Sequence, residues 1–158
     1  MTEDDFNYYV HGLQGFWQGY MKGLYNSNTP RHITDLCLND DISKRIANMI
    51  FVVKEQDFFL IFDLVRDFMA VTANIDECGL EKSIIEVEKF CLKNDCSPPT
   101  IFGGLAAKAF QIFDKLTTIA DMLQEFPGDD AQEVFDQGQS IGKALGSMIR
   151  IIFNFQHH

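Results

Sequence analysis

Apolar residues recur along most of this chain at intervals of three and four, the period of a helix that buries one face. Phe6, Tyr9, Leu13, Phe16, Trp17, Tyr20 and Leu24 form such a stripe, with Asn7, His11, Gln14, Gln18 and Lys22 on the polar side. The spacing predicts a first helix running to about Tyr25. A capping-box-like Thr2-x-x-Asp5 opens it, and the turn-forming Asn26-Ser27-Asn28-Thr29-Pro30 ends it. A second helix takes Asp40 or Asp41 as its cap and turns Ile42, Ile46, Met49, Ile50 and Val53 inward. After a break at Glu55-Gln56-Asp57, a third turns Phe58, Phe62, Val65, Phe68, Met69 and Thr72 inward. Asp76-Glu77-Cys78-Gly79 separates it from a short fourth helix, Leu80 to about Leu92, with Ile84, Val87, Phe90 and Cys91 on one side.

Ser97-Pro98-Pro99 is a strong helix start, since proline suits the first helical turn. The fifth helix then runs from Thr100 to about Phe126 and is expected to bury Phe102, Leu105, Ala109, Ile112, Phe113, Leu116, Ile119 and Leu123. Pro127-Gly128 stops it, and Asp129 or Asp130 caps the last helix. There Val134, Gly138, Ile141, Leu145, Met148, Ile152 and Phe155 keep an unbroken four-three spacing, the mark of a long packing seam. No stretch alternates as a strand would. The expected fold is a single all-α domain over residues 1–158, a bundle of about six helices.

Glycine sharpens this picture. Gly12, Gly15, Gly19 and Gly23 line one stripe of the first helix, and Gly138, Gly142 and Gly146 one stripe of the last. A glycine inside a helix costs roughly 1 kcal/mol against alanine, so seven at helical spacing call for a compensating contact. Close backbone approach supplies one, either between these two helices or against another chain.

The chain has 158 residues, enough for one domain with its own core. Fifteen phenylalanines suit a core or an apolar cavity. A net charge of −10 and the lack of a basic patch argue against nucleic acid and against anionic membrane surfaces. No apolar run approaches the roughly 20 residues of a membrane span. Met-Thr-Glu-Asp-Asp at the start does not read as a signal peptide, so the expectation is either a cytosolic protein or a mature form with an added methionine. His157-His158 reads equally as the start of a tag or as a native ending.

Cys37, Cys78, Cys91 and Cys96 form no C-x-x-C pair, and His11 and His32 join them at no recognised zinc spacing. An even number of cysteines near helix ends fits two disulfides better than four buried thiols, and disulfides imply a secreted or lumenal mature protein. The helix map limits the pairing. Cys78 and Cys91 stand about 20 Å apart along the fourth helix, beyond the roughly 7 Å that a disulfide spans. An antiparallel hairpin of helices two and three returns Cys78 to the end where Cys37 lies. The expectation is Cys37–Cys78 with a local Cys91–Cys96.

Catalytic chemistry is harder to find. His11 and His32 have no serine or cysteine beside them in a nucleophilic motif. The carboxylate pairs Asp4-Asp5, Asp40-Asp41, Asp76-Glu77 and Asp129-Asp130 all sit at helix starts, where capping explains them. None follows a calcium-loop pattern. Gly103-Gly104 is not a phosphate loop, because no Lys-Ser or Lys-Thr follows, and it reads as close helix packing. Asn94-Asp95-Cys96 is at most a rare variant of a glycosylation acceptor. No catalytic residue, metal or cofactor is expected, and the chain reads as non-enzymatic.

The run Gly15-Phe16-Trp17-Gln18-Gly19-Tyr20-Met21-Lys22-Gly23-Leu24-Tyr25, then Cys37, then Asp95-Cys96, then Gly138 and Gly142-Lys143-Ala144-Leu145-Gly146, follows one order. It resembles a class of small secreted, cysteine-containing helical proteins of ciliates and other protists. In that class a glycine-aromatic opening helix and a closing glycine-lysine helix bracket a disulfide-bearing middle. The resemblance spans most of the chain and implies secretion and disulfides. It carries no activity with it.

Two functions follow as expectations. The first is a carrier of an apolar small molecule or lipid, with Phe16, Trp17, Tyr20, Phe62, Phe113 and Met148 lining its site. The alternative is a structural or interaction protein that self-associates, or packs on a partner, through its glycine-striped helices.

Overall fold

The computed structural model describes residues 3–56 and 58–156. Met1, Thr2, Asp57, His157 and His158 lie outside them, as do the side chains of Glu3, Asp4, Asp5, Phe6, Asn7 and Phe58. Among the described residues the chain forms six α-helices and no strand. They are α1 (Glu3–Tyr25), α2 (Asp40–Glu55), α3 (Ile61–Asn74), α4 (Leu80–Lys93), α5 (Pro98–Glu125) and α6 (Ala131–Phe153). Single 3₁₀ turns precede α3 at Phe58–Leu60 and α4 at Ile75–Cys78.

Helix ends follow local chemistry closely. Asn39, not Asp40 or Asp41, caps α2 by accepting from the Ile42 amide at 3.1 Å, which leaves both aspartates in the first turn facing the positive helix end. Asp130 caps α6 by accepting from the Glu133 amide at 2.8 Å. The Glu133 carboxylate reaches back to the Asp129 amide at 2.6 Å, a reciprocal box. Ser97 stands at the N-cap of α5, with proline in its first turn.

The centre of the molecule is the pair α1 and α6. A Cβ added at Gly15 would lie 2.0 Å from the Phe135 carbonyl oxygen, and one at Gly19 would lie 1.9 Å from that of Gln139. Reciprocally, one at Gly142 would lie 1.9 Å from the Phe16 carbonyl and one at Gly146 2.2 Å from that of Tyr20. Gly23 and Gly138 are as tightly met, by the Lys143 and Gly12 carbonyls, and Gly12 itself faces Val134 Cγ1 at 2.9 Å. Residue numbers rise together across this contact, so the two helices run parallel. Backbones this close bring Cα–H groups against carbonyl oxygens, each such contact contributing about 0.5–1 kcal/mol. At the far end Arg150 Nε donates to the Gly23 carbonyl at 2.9 Å.

α5 returns antiparallel along α6. Gln137 Nε2 donates to the Glu125 carbonyl at 3.1 Å near the turn, and Lys108 Nζ to the Ile151 carbonyl at 2.9 Å near the other end. α2 and α3 make an antiparallel hairpin whose base is closed by the disulfide Cys37–Cys78, Cα atoms 4.8 Å apart. The Asn74 side chain accepts from the Leu38 amide at 2.8 Å and donates to the Leu36 carbonyl at 2.6 Å, stitching the same base. Gln14 donates to the Leu38 carbonyl and so ties this loop to α1. Cys91–Cys96 joins the end of α4 to the loop before α5. Both pairings are those the helix map predicts.

The core is thin. Val10, Met21, Leu24, Ile42, Val52, Val134, Ala144 and Phe155 are its main buried apolar residues, with the Cys37–Cys78 disulfide. Of the phenylalanine side chains described, Phe155 alone is buried. This overturns the expected inward faces of two helices. On α3, Phe62, Val65, Phe68, Met69 and Thr72 point outward, and the buried residues are Asp67 and Asn74. α5 has no buried residue at all. Val53 on α2 and Ile84 on α4 are likewise exposed.

Ordinarily Gly→Ala in a helix interior stabilises. Gly142→Ala is expected to lose at least about 3 kcal/mol of unfolding free energy, because the methyl meets rigid backbone. Gly103→Ala, with nothing within 4 Å of its Cβ, is expected to gain up to about 1 kcal/mol. Urea denaturation of the two variants checks this, and equal effects would refute the packing assigned to α1 and α6. By loop-closure entropy, replacing Cys37 and Cys78 by serine should cost about 4 kcal/mol for a separation of 41 residues. Replacing Cys91 and Cys96 should cost only about 2 kcal/mol for a separation of 5. Thermal unfolding of the two double variants gives the ranking.

Candidate interaction surface

α5 carries two apolar stripes. Ile101, Leu105, Ile112, Ile119 and Met122 are half-buried on the α6 side. Phe102, Ala106, Ala109, Phe113, Leu116, Ala120 and Leu123 form the second stripe, at unbroken four-three spacing, and every one of them is exposed. Phe110, 90 % exposed, stands beside them. A helix apolar on two sides belongs between two neighbours, and among the described residues its main neighbour is α6. The expected buried set mixed residues from both stripes. The width of the apolar arc, too broad for one helix–helix contact, is the signal that separates them.

The outer side of the α2–α3 hairpin is a second open face. Phe62 is 84 % exposed, and Phe59, Val65, Phe68 and Met69 extend the same apolar surface. Between the two helices, Ile46, Met49, Ile50, Val53 and Leu64 line an apolar cleft of about 270 Å³. The whole chain exposes 10018 Å². A compact monomer of 18.1 kDa exposes about 8,100 Å². The excess is roughly 1,900 Å².

The six residues expected to line an apolar site do not converge. Phe16, Trp17 and Tyr20 touch one another on α1, ring centroids 5.6–6.4 Å apart. Met148 is half-buried on α6. Phe62 on α3 and Phe113 on α5, the latter 68 % exposed, lie in solvent and cannot wall an enclosed cavity. The glycine stripes are consumed between α1 and α6 and are not a free surface.

Two polar clusters tie elements together. His32 Nε2 lies 2.9 Å from Glu86 Oε1, and the Tyr25 hydroxyl donates to the same carboxylate. Burial, then this hydrogen bond, raises the Tyr25 pKa. The three join the loop after α1 to α4, beside the ring contacts Tyr25–Phe155 and Phe90–Phe155. Glu86, Phe90 and Phe155 also edge an open cleft of about 400 Å³. The sequence offers His32 no partner in any recognised motif. His32 has a positive φ of 62°, a conformation with no signature in composition. His11 stays exposed.

In the hairpin, Asp67 is 2 % exposed and accepts from Arg45 at 3.0 Å and Asn48 at 2.7 Å, with Arg66 at 3.6 Å. Burial alone pushes this carboxyl up, but the hydrogen bonds and the two guanidinium charges outweigh it and hold the pKa below 3.8. Asp95 is held at about 2 by hydrogen bonds from Ser97 and Thr100 at the start of α5. Asn94 donates to the Phe90 carbonyl and so finishes α4.

Among the described residues no group of histidine, cysteine and carboxylate side chains could hold a metal ion, and no helix is long and apolar enough to cross a membrane. All four cysteines are in disulfides. No protein-family model, curated protein or solved structure matches the chain.

Because the folded pKa of Asp67 is depressed, its contribution is fully present above pH 3.8 and is lost as pH falls through the folded value. Asp67→Asn should therefore be destabilised against the parent at neutral pH by about 1–3 kcal/mol. The gap should close progressively below pH 3.8. Urea titrations at neutral and acid pH test it, and a gap independent of pH would rule out the ionised network.

Proposed function

We propose that this chain is a non-catalytic interaction protein of an oxidising, secreted or lumenal compartment. It is a disulfide-braced helical scaffold that docks on protein through the open apolar faces of α5 and α3. One observation carries the reading: the longest helix in the molecule buries none of its residues, although seven apolar side chains follow one another along a single exposed stripe. Exposed apolar patches of this extent mark binding surfaces in folded proteins. Two disulfides support the compartment. The surface is displaced from the glycine stripes, where the sequence placed it, to the phenylalanine-rich faces.

A second reading, an apolar-ligand carrier, has one observation in its favour, the cleft between α2 and α3. At about 270 Å³ it falls below the roughly 300–1,000 Å³ of ordinary ligand pockets. It suits a fragment of a lipid better than a whole one.

A photoreactive phenylalanine analogue at positions 62 and 113, with a control at Glu88 on the polar side of α4, tests the proposal in the secreting cell. Protein-sized adducts at 62 and 113 but not at 88 are expected. Absence of adducts at both positions, or equal labelling at 88, would overturn the docking reading, and lipid-sized adducts would favour the carrier.

A further inference from the structure

We propose that Cys91–Cys96 is a redox clasp. A dithiol reductant opens it while Cys37–Cys78 stays closed, and its opening releases the first two turns of α5. The inference goes beyond the docking reading and does not rest on it.

Access separates the two disulfides. Cys37 and Cys78 are 8 % and 2 % exposed. They sit at a base stitched by Asn74 and by the Thr34 amide, which donates to the Glu77 carbonyl at 2.9 Å. Cys91 and Cys96 are each partly exposed, and Leu92, Lys93, Asn94 and Asp95 between them are fully so. Exchange requires a thiolate to reach a sulfur, so the accessible pair reacts first. What each bond holds also differs. Cys37–Cys78 has a sequence separation of 41 and closes the whole α2–α3 hairpin. Cys91–Cys96 has a separation of 5 and holds only the joint between α4 and α5.

That joint has little else to fix it. Among the described residues α4 and α5 share almost no packing. Ser97, Pro98, Pro99 and Thr100 are exposed, and from 98 to 104 only Ile101 and Gly104 are even half-buried. Lys108 already meets Ile151 near the end of α6, so residues 98–104 run at or beyond the end of their support. Gly103 and Gly104 weaken the helix in the same place.

The start of α5 depends instead on Asp95. One of its carboxylate oxygens accepts from the Ser97 amide at 2.9 Å, and the other accepts from the Thr100 hydroxyl. Asp95 lies inside the disulfide loop, so the bond is what holds this cap in position. Once the loop opens, residues 92–96 regain backbone freedom. The cap then loses its fixed place, and the helix frays as far as the glycine pair. Phe102, the first residue of the exposed apolar stripe, lies within that segment. The clasp therefore also sets how much of the stripe is ordered.

The chemistry is thiol–disulfide exchange with a dithiol. A thiolate of the reductant attacks one sulfur of the pair and forms a mixed disulfide, while the other cysteine leaves as a thiolate and takes a proton from water. The second thiol of the reductant then gives up its proton and displaces the remaining cysteine. Two electrons pass in all: the dithiol becomes a disulfide, and Cys91 and Cys96 become thiols.

Dithiothreitol at neutral pH, acting on the folded and oxidised full chain, is the probe. Alkylation of the opened thiols and peptide mass spectrometry read which pair has reacted. Cys91 and Cys96 should be modified about tenfold faster than Cys37 and Cys78, or more. In the selectively reduced chain, hydrogen exchange at the amides of residues 101–105 should quicken about tenfold, with α1 and α6 unchanged. The double variant Cys91→Ser, Cys96→Ser should show the same profile with no reductant present. Opening of Cys37–Cys78 first, or in step with the other pair, would overturn the proposal. So would unchanged exchange at 101–105, or faster exchange that spreads into α1 and α6, in either the reduced chain or the variant.

Discussion

The parallel contact between α1 and α6 is the constraint from which the rest of the architecture follows. Six of the seven glycines let two backbones meet where carbonyl oxygens stand about 2 Å from the place a Cβ would occupy. Such a contact can be made by one face of each helix only, and it demands a parallel pair from the two ends of one chain. The segment between them must therefore travel back along the molecule before α6 begins. α5 performs that return, and its 28 residues exceed the 23 of α6. Lys108 reaches Ile151, near the end of α6, so the first turn or two of α5 lie at or past the end of the helix that supports them. With one side of α6 given to α1 and another to α5, the outer side of α5 stays exposed among the described residues.

A glycine-lined seam gains dispersion from proximity but buries few large side chains, and each atomic contact is worth only about 0.1–0.2 kcal/mol. The fold compensates with connections that need little apolar area. One disulfide closes a loop of 41 residues around the hairpin. Asn74 satisfies the Leu36 carbonyl and the Leu38 amide at its base, and Asp67 gathers Arg45 and Asn48 between its helices. A polar group buried on α3 has a geometric consequence. The face opposite Asp67, which carries Phe62, Val65 and Met69, cannot also be inside. The hairpin is held from within by charge and hydrogen bonds and presents its hydrocarbon outward.

Local pattern made much of this legible. Periodicity and Pro, Gly and Asn punctuation located six helices, and the lengths of those helices were enough to pair four cysteines. The glycine stripes announced a close approach, since seven costly residues at helical spacing need one. What periodicity does not encode is which neighbour covers a stripe. Phe102 and Leu105 are both apolar and nearly adjacent in sequence, yet one faces solvent and the other α6. The same blindness put Phe62 and Phe68 in a core that Asp67 occupies. The cap of α2 slipped by one residue because Asp40 and Asp41 are favourable in a first turn whether or not they cap it. His32 was unreadable for a different reason, since its meeting with Glu86 joins residues 54 positions apart through a loop of irregular backbone.

Glycine distinguishes the contacts this chain completes by itself from one it leaves open. In α1 and α6 every helical glycine that weakens its helix is met by a carbonyl or a side chain of the opposite helix. At Gly103 the same intrinsic cost of roughly 1 kcal/mol is incurred, with no neighbour in reach. Alanine would serve better there if the single chain were the finished object, because it favours the helix and meets no obstacle. Around that glycine lie Phe102, Ala106, Ala107 and Phe110, all exposed, on a helix whose inner side is already occupied. The local energetics of α5 are thus consistent with its apolar pattern. Both describe a helix shaped to receive a backbone or side chain from outside its own chain.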